Sequence, residues 1–172
     1  FKYHRPGDDW PSWWRADGTE VPHRLKDSPL EKYEQITSLL KDRPTHAGMD
    51  FKTPVGTPVH APRDGRVTQT NWNRTYNGNS SELKLEDGVV AKFLHLDETK
   101  LKPGERVKKG QVIGATGNTG RSTAPHLHYQ LERGSTIVDP LDYHGTTRRR
   151  LPEDAMPAFR AEVERLETLA DE

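Results

Sequence analysis

Between Gly56 and Leu131 the apolar residues come in short runs: Val59-His60-Ala61, Gly65-Arg66-Val67-Thr68, Leu83-Lys84-Leu85, Val89-Val90-Ala91-Lys92-Phe93-Leu94, Gln111-Val112-Ile113 and Leu127-His128-Tyr129-Gln130-Leu131. Alternation at a period of two turns one face of a strand toward a core and the other toward water. Asp87-Gly88, Pro103-Gly104 and Asn118-Thr119-Gly120 supply the turns between runs. The pattern predicts a mainly β chain built on a compact antiparallel domain. After Pro140 the period changes. Met156, Phe159, Val163, Leu166 and Ala170 recur at steps of three and four behind an acidic start, Leu151-Pro152-Glu153-Asp154. This predicts a C-terminal amphipathic helix of about 15 residues.

The first part of the chain has no such regularity. Phe1 to Lys26 is rich in Pro, Gly, Asp and Trp, with Trp10, Trp13 and Trp14 close together, and reads as an extended arm whose indoles need something to lie against. In the next segment Leu30, Tyr33, Ile36 and Leu40 share a helical spacing behind a cap-like Ser28-Pro29, yet Tyr33 to Leu39 also holds β-formers. The expected organisation is an arm and leading strand packed on the domain over 1–43, the domain itself over 44–145, and a helical tail over 146–172.

Composition narrows the function classes. Apolar residues make up 31% of the 172 and charged residues 30%, so much of the chain faces water. Lys+Arg and Asp+Glu both number 26, which leaves no net basic field to draw the chain onto nucleic acid or an anionic membrane. The basic run Arg148-Arg149-Arg150 reads as a solvated turn. With no cysteine, disulfides and thiolate metal sites are excluded. No apolar run approaches the roughly 20 residues that span a bilayer. The opening Phe1-Lys2-Tyr3 lacks an initiator Met or signal sequence and suggests a processed part of something longer.

The candidate chemistry lies in His46 and Asp50, then His95, then His126 and His128. On a strand, residues two apart share a face at roughly 6.6 Å, so His126 and His128 point the same way while Leu127 points inward. A straight strand would hold His46 and Asp50 about 13 Å apart, and zinc needs its N and O donors about 2.0–2.2 Å from the ion. Gly48 offers the bend that closes that gap. Imidazole and carboxylate suit Zn²⁺, whose catalytic sites take three protein ligands and leave a fourth position open. Five candidates exceed three, and the surplus imidazoles suit proton transfer and oxyanion stabilisation. His4, His23, His60 and His144 read as surface or groove-lining residues.

Ordered blocks across nearly the whole central region resemble the LytM-like or lysostaphin-type zinc peptidases, peptidase family M23. They are His46-Ala47-Gly48-Met49-Asp50-Phe51, Pro54 to Val59, Asp64-Gly65-Arg66-Val67, Phe93-Leu94-His95-Leu96, Val107 to Gly114, Thr116-Gly117-Asn118-Thr119-Gly120 and Pro125-His126-Leu127-His128-Tyr129. The resemblance implies zinc held by His46, Asp50 and His128, with His95 and His126 as the catalytic pair and the general base undecided between them. It implies a strand over Tyr33 to Leu39. It further implies a monomeric peptidoglycan endopeptidase of the periplasm or cell envelope, possibly secreted, whose partners are the peptide stems of the wall. The arm and tail look like those of Gram-negative members, which act on the D-alanyl-diaminopimelate cross-link. Glycyl-glycine endopeptidase and non-catalytic activator are the alternatives within the family; a lipoyl-type or phosphocarrier module would share the Val107 to Gly114 run but has no use for His46 and Asp50. Phe93 in place of Tyr, Ala124 in place of Gly, and a longer loop from Asn71 to Ser81 depart from the family pattern, and the loop is expected to reshape one wall of the groove.

Overall fold

A computed structural model describes residues 1–170; Asp171 and Glu172, the end of the expected tail, lie outside the described residues. The chain begins with β1 (Lys2–Tyr3), β2 (Ser12–Trp13), β3 (Arg24–Leu25), β4 (Gln35–Ser38), β5 (Met49–Lys52), β6 (Pro58–His60) and β7 (Gly65–Thr70). A one-turn helix, α1 (Arg74–Asn77), leads into β8 (Asn79–Leu85), β9 (Val90–Thr99), β10 (Arg106–Val107), β11 (Val112–Thr116), β12 (His126–Arg133) and β13 (Thr136–Val138). Then come α2 (Pro140–His144), β14 (Thr146–Thr147) and α3 (Met156–Ala170), the last matching the helix expected from the apolar period. These elements form two compact units, Asp27–Gly145, and Phe1–Lys26 together with the chain from Thr146 onward. The strand expected to lead into the domain, β4, lies within the larger unit and pairs with β5.

The larger unit is the antiparallel β structure that the period-two runs predict. Its main path is β10-β7-β8-β9-β12-β5-β4, with β11 pairing β6 and β9, and β13 pairing β12. Alternate residues Val67, Leu83, Leu85, Ala91, Phe93, Leu127, Tyr129 and Leu131 are buried, and Phe51 and Met49 join them from β5. Burying each large side chain contributes about 1.5–3 kcal/mol, which fixes the register because a one-residue slip would turn every one of them outward. The ambiguous Tyr33 to Leu39 segment contains β4, with Ile36 opposite Phe51. Here the edge of β5 decides: its backbone groups need partners, and the Tyr33 ring packs edge-on against Phe51 at 5.0 Å.

One irregularity positions the site. Asn79 faces Leu96 but Ser81 faces Phe93, so β9 carries one more residue than β8 over this stretch. His95 occupies the bulge at φ 62°. A non-glycine residue held there costs on the order of 1–3 kcal/mol and persists only where its surroundings enforce it.

The smaller unit has its own core. Trp14, Leu151, Phe159 and Val163 are buried together, with Phe1, Tyr3 and Met156 packed around them. Phe159 meets Phe1 at 6.5 Å and Tyr3 at 5.1 Å, both edge-on. Two short pairings, β1 with β2 and β3 with β14, tie the arm to itself and to the tail. Trp14 thus finds its cover in α3, while Trp13 stays 55% exposed. The basic run is not simply a solvated turn: Arg149 pairs with Glu20 at 2.7 Å and Asp8 at 3.1 Å.

Glu20 is fully buried and also accepts from Arg24 and Ser12. Burial alone would raise its carboxyl pKa, but the bonds from Arg24, Arg149 and Ser12 outweigh burial and hold it at about 2, against an ordinary 4.5. A depressed folded-state pKa stabilises above the unfolded value, here on the order of 3 kcal/mol, and that stability is lost as pH falls from about 4.5 toward 2. Glu20→Gln should lower stability at neutral pH by about 3 kcal/mol, because Arg24 and Arg149 lose the buried carboxylate they share, although Arg149 keeps Asp8. It should also flatten the acid limb of a urea-unfolding series between pH 5 and roughly 2, the window in which the wild-type carboxylate protonates. An unchanged acid limb would remove Glu20 as its source.

Candidate functional site

The pairing of β5 with β12 sets His128 directly opposite Asp50 and His126 opposite Lys52. Strand alternation puts both histidines on one face, as their spacing requires. His46 arrives from the turn before β5, and the chain bends at Gly48. A Cβ at Gly48 would lie 2.5 Å from the Tyr129 carbonyl oxygen and 2.8 Å from His128 Nε2, so this close approach demands glycine. The result brings together the three groups that a straight strand would separate: the ligand atoms of His46, Asp50 and His128 lie within 4.8 Å of one another.

Hydrogen bonds decide which ring atoms point inward. His46 Nδ1 lies 2.8 Å from the Leu39 carbonyl oxygen, to which it can only donate, leaving the Nε2 lone pair free. Buried His46 Nε2 is 3.0 Å from Asp50 Oδ2 yet makes no hydrogen bond. His128 Nε2 is 3.3 Å from Gln130 Oε1, and His128 Nδ1 is 2.8 Å from Asp50 Oδ1. Two ring nitrogens therefore converge on one carboxylate, an arrangement that calls for a cation among them. Two imidazoles and a carboxylate fit zinc in kind and number. On the outer side, Arg43 Nη2 donates to Asp50 Oδ2 at 3.2 Å. Burial would raise the Asp50 carboxyl pKa, but the His128 bond and the charges of His128, His46 and His126 hold it at about 2, so it stays an acceptor.

The other two histidines stand beside this cluster. His95 and His126 have ring centroids 4.8 Å apart, and His95 lies 6.2 Å from His128. His95 Nδ1 donates to the Thr119 carbonyl at 2.9 Å, and His126 Nδ1 lies 2.8 Å from the Ala124 carbonyl and 3.0 Å from Ser122 Oγ. Each ring thus leaves Nε2 unclaimed by the backbone. Burial pushes the His95 pKa down, the Thr119 bond opposing only in part, which favours the neutral imidazole with its Nε2 lone pair available. All five residues line one open groove of about 640 Å³.

Several contributors carried little sequence signal. Gln130, two residues after His128, was missed, although strand alternation, which sets it on the same face, would have made it legible. The Leu39, Thr119 and Ala124 carbonyls were not legible, since any residue supplies one. The Asn71 to Ser81 loop docks on the segment that holds His95: Asn79 N–H donates to Thr119 Oγ1 at 2.9 Å, and Arg121 N–H to the Tyr76 carbonyl at 3.0 Å. Among the remaining histidines, His144 corrects the surface or groove reading. It is 6% exposed and bonds the Tyr129 hydroxyl at 2.9 Å, and burial lowers its pKa to about 4.

The profile of peptidase family M23 matches residues 44–140, more than half of the chain. The chain belongs to that family. Among its relatives, the peptidoglycan DD-endopeptidase ShyC of Vibrio cholerae is 36% identical over 133 residues, covering 72% of this chain and 30% of that protein. The glycyl-glycine endopeptidase ALE-1 of Staphylococcus capitis is 44% identical over 103 residues, covering 57% of this chain and 28% of that protein. The chain therefore spans about 30% of the length of these relatives. A crystal structure of a zinc-containing peptidase from Vibrio cholerae superposes with TM-score 0.61 at 32% identity, covering 76% of this chain and 45% of that one. The M23 fold and metallopeptidase class thus agree with the sequence reading. Among the described residues of this M23 chain, no helix is long and apolar enough to cross a membrane.

Proposed function

We propose that this M23 domain is a zinc-dependent endopeptidase that hydrolyses peptide cross-links of bacterial peptidoglycan, with the D-alanyl-diaminopimelate bond as its preferred target. The observation that carries the reading is the convergence of His46 Nε2, Asp50 and His128 Nδ1 on one point, open to a groove that also presents His95 and His126. His46, Asp50 and His128 would hold the metal. Zinc bound there would supply Lewis acidity, to polarise the scissile carbonyl and lower the pKa of the attacking water.

The remaining steps belong to the two free histidines. Each keeps Nδ1–H on a backbone carbonyl, which fixes the tautomer with Nε2 as the acceptor facing the groove. One Nε2 takes the proton of the water and passes it to the leaving amine; the other ring, in its imidazolium form with Nδ1–H still on its carbonyl, donates from Nε2 to the carbonyl oxygen as negative charge develops. The carbonyl behind each ring stabilises the imidazolium while it exists. One chain supplies every group named, so a monomer suffices. The substrate places the protein in the cell envelope, in the periplasm or outside the cell.

The non-catalytic alternative finds no support here, since all five positions are present and converge. The glycyl-glycine alternative shares the same chemistry and differs in the bond. Digestion of purified walls of both cross-link types, with the fragments identified by mass, is expected to release stem peptides cut at the D-alanyl-diaminopimelate bond and to leave pentaglycine bridges largely intact. Release of glycine-ended fragments alone would transfer the assignment to the second reading.

A further inference from the structure

The groove carries an imbalance of charge. Asp50 is its single lining carboxylate among the described residues, and that group is claimed by histidines; the lining cations are Arg43, Lys52 and Arg121. Arg43 is bonded to Asp50, and Lys52 pairs with Glu34 at 2.9 Å. The Arg121 guanidinium has no hydrogen bond or ion pair among the described residues; it faces the Tyr76 ring at 6.0 Å. Its backbone is nonetheless fixed. Arg121 N–H donates to the Tyr76 carbonyl, and Gly120, at φ 71°, lies so close to Gly78 that an added Cβ would stand 2.2 Å from the Gly78 nitrogen. Arg121 also begins the short segment that runs through Ser122 and Ala124, both bonded to the His126 ring. A cation with a held base and, among the described residues, no counter-charge thus lines the same groove as the reacting histidines.

We propose that Arg121 is a specificity-determining residue that binds a free carboxylate of the substrate next to the scissile amide. The inference rests on the proposed peptidase activity and refines its substrate class. In a cross-link formed on the amine of a dicarboxylic diamino acid, a carboxylate sits on the carbon that bears the scissile nitrogen. A planar guanidinium can take that group with two parallel hydrogen bonds. A glycine bridge has no such group, and amidation replaces it with a neutral carboxamide. The Tyr76 ring, 6.0 Å from the guanidinium carbon, attracts the group without neutralising its charge. The loop from Asn71 to Ser81 thereby serves selectivity, with Tyr76 as its platform.

The test uses the full zinc-loaded chain and two cross-linked peptides whose scissile amide is replaced by a non-hydrolysable linkage. They are identical except that one has the free carboxylate and the other a carboxamide. Calorimetry should give the carboxylate peptide roughly tenfold tighter binding, the low end for a hydrogen bond between charged groups. Arg121→Gln should bring the ratio of the two dissociation constants close to one, and Arg121→Lys should retain part of it. Melting temperature and zinc content of each variant verify that the fold and metal cluster persist. Equal binding of the two peptides by the wild type, a ratio that survives Arg121→Gln, or no binding of either peptide would each overturn the inference. Failure of the underlying activity has a separate signature, the absence of cleavage of either hydrolysable counterpart, and the binding ratio stands apart from it.

Discussion

Asp50→Ala is expected to take the protein from about one bound zinc per chain to nearly none, because catalytic zinc is held by three protein ligands and two imidazoles alone make an incomplete site. The geometry sharpens this expectation. Asp50 is the group on which both His46 Nε2, at 3.0 Å, and His128 Nδ1, at 2.8 Å, converge, so its loss removes the centre of the cluster. Arg43 would also lose its acceptor and leave a cation beside two histidines, which further disfavours a divalent ion. Hydrolysis of cell wall should fall with the metal. His46→Ala should behave alike, and metal analysis after dialysis against trace-metal-free buffer decides both. Full zinc occupancy in either variant would sink the ligand assignment.

His95→Ala and His126→Ala should produce the opposite dissociation of properties, retaining zinc while losing roughly 10²–10⁴-fold in turnover, the scale of a proton-transfer role. Neither ring belongs to the group whose donors lie within 4.8 Å of one another. His126 Nε2 stands 3.9 Å from Asp50 Oδ1, against 2.8 Å for His128 Nδ1. The double variant should lose little more than the worse single one, since groups that act as a unit are non-additive. Metal content and turnover must be measured on the same preparations. Zinc lost from His126→Ala but kept by His128→Ala would reverse the roles of the two strand histidines.

The legible and illegible parts of this structure divide on physical grounds. Period-two burial exposes strands to a reader of sequence, so β7, β8, β9, β11 and β12 stood out, as did α3 with its three- and four-residue steps. His126 and His128 were legible as a same-face pair for the same reason, and Gly48 as the place of a bend. What decides β4 is a neighbouring strand edge, which the local pattern of Tyr33 to Leu39 does not contain. Trp14 needed a cover, but Phe159 and Val163 lie far along the chain, and no local signal joins them. His144 and Arg149 were misread because burial and ion pairing are made by partners distant in sequence, Tyr129 for one and Glu20 and Asp8 for the other. The carbonyls that orient the imidazoles are invisible in principle, since every residue owns one.

The placement of β4 means that the evolutionary unit and the mechanical unit of this protein do not begin at the same residue. The family match starts at 44, whereas the strand that completes the sheet beside Asp50 spans Gln35–Ser38. An unpaired strand edge is a template for another chain, and a short four-residue rim blunts that hazard. β4 is such a rim: it shields the backbone of the strand that carries Asp50 from pairing with another chain, and it belongs to a stretch that recognition of the family alone would discard.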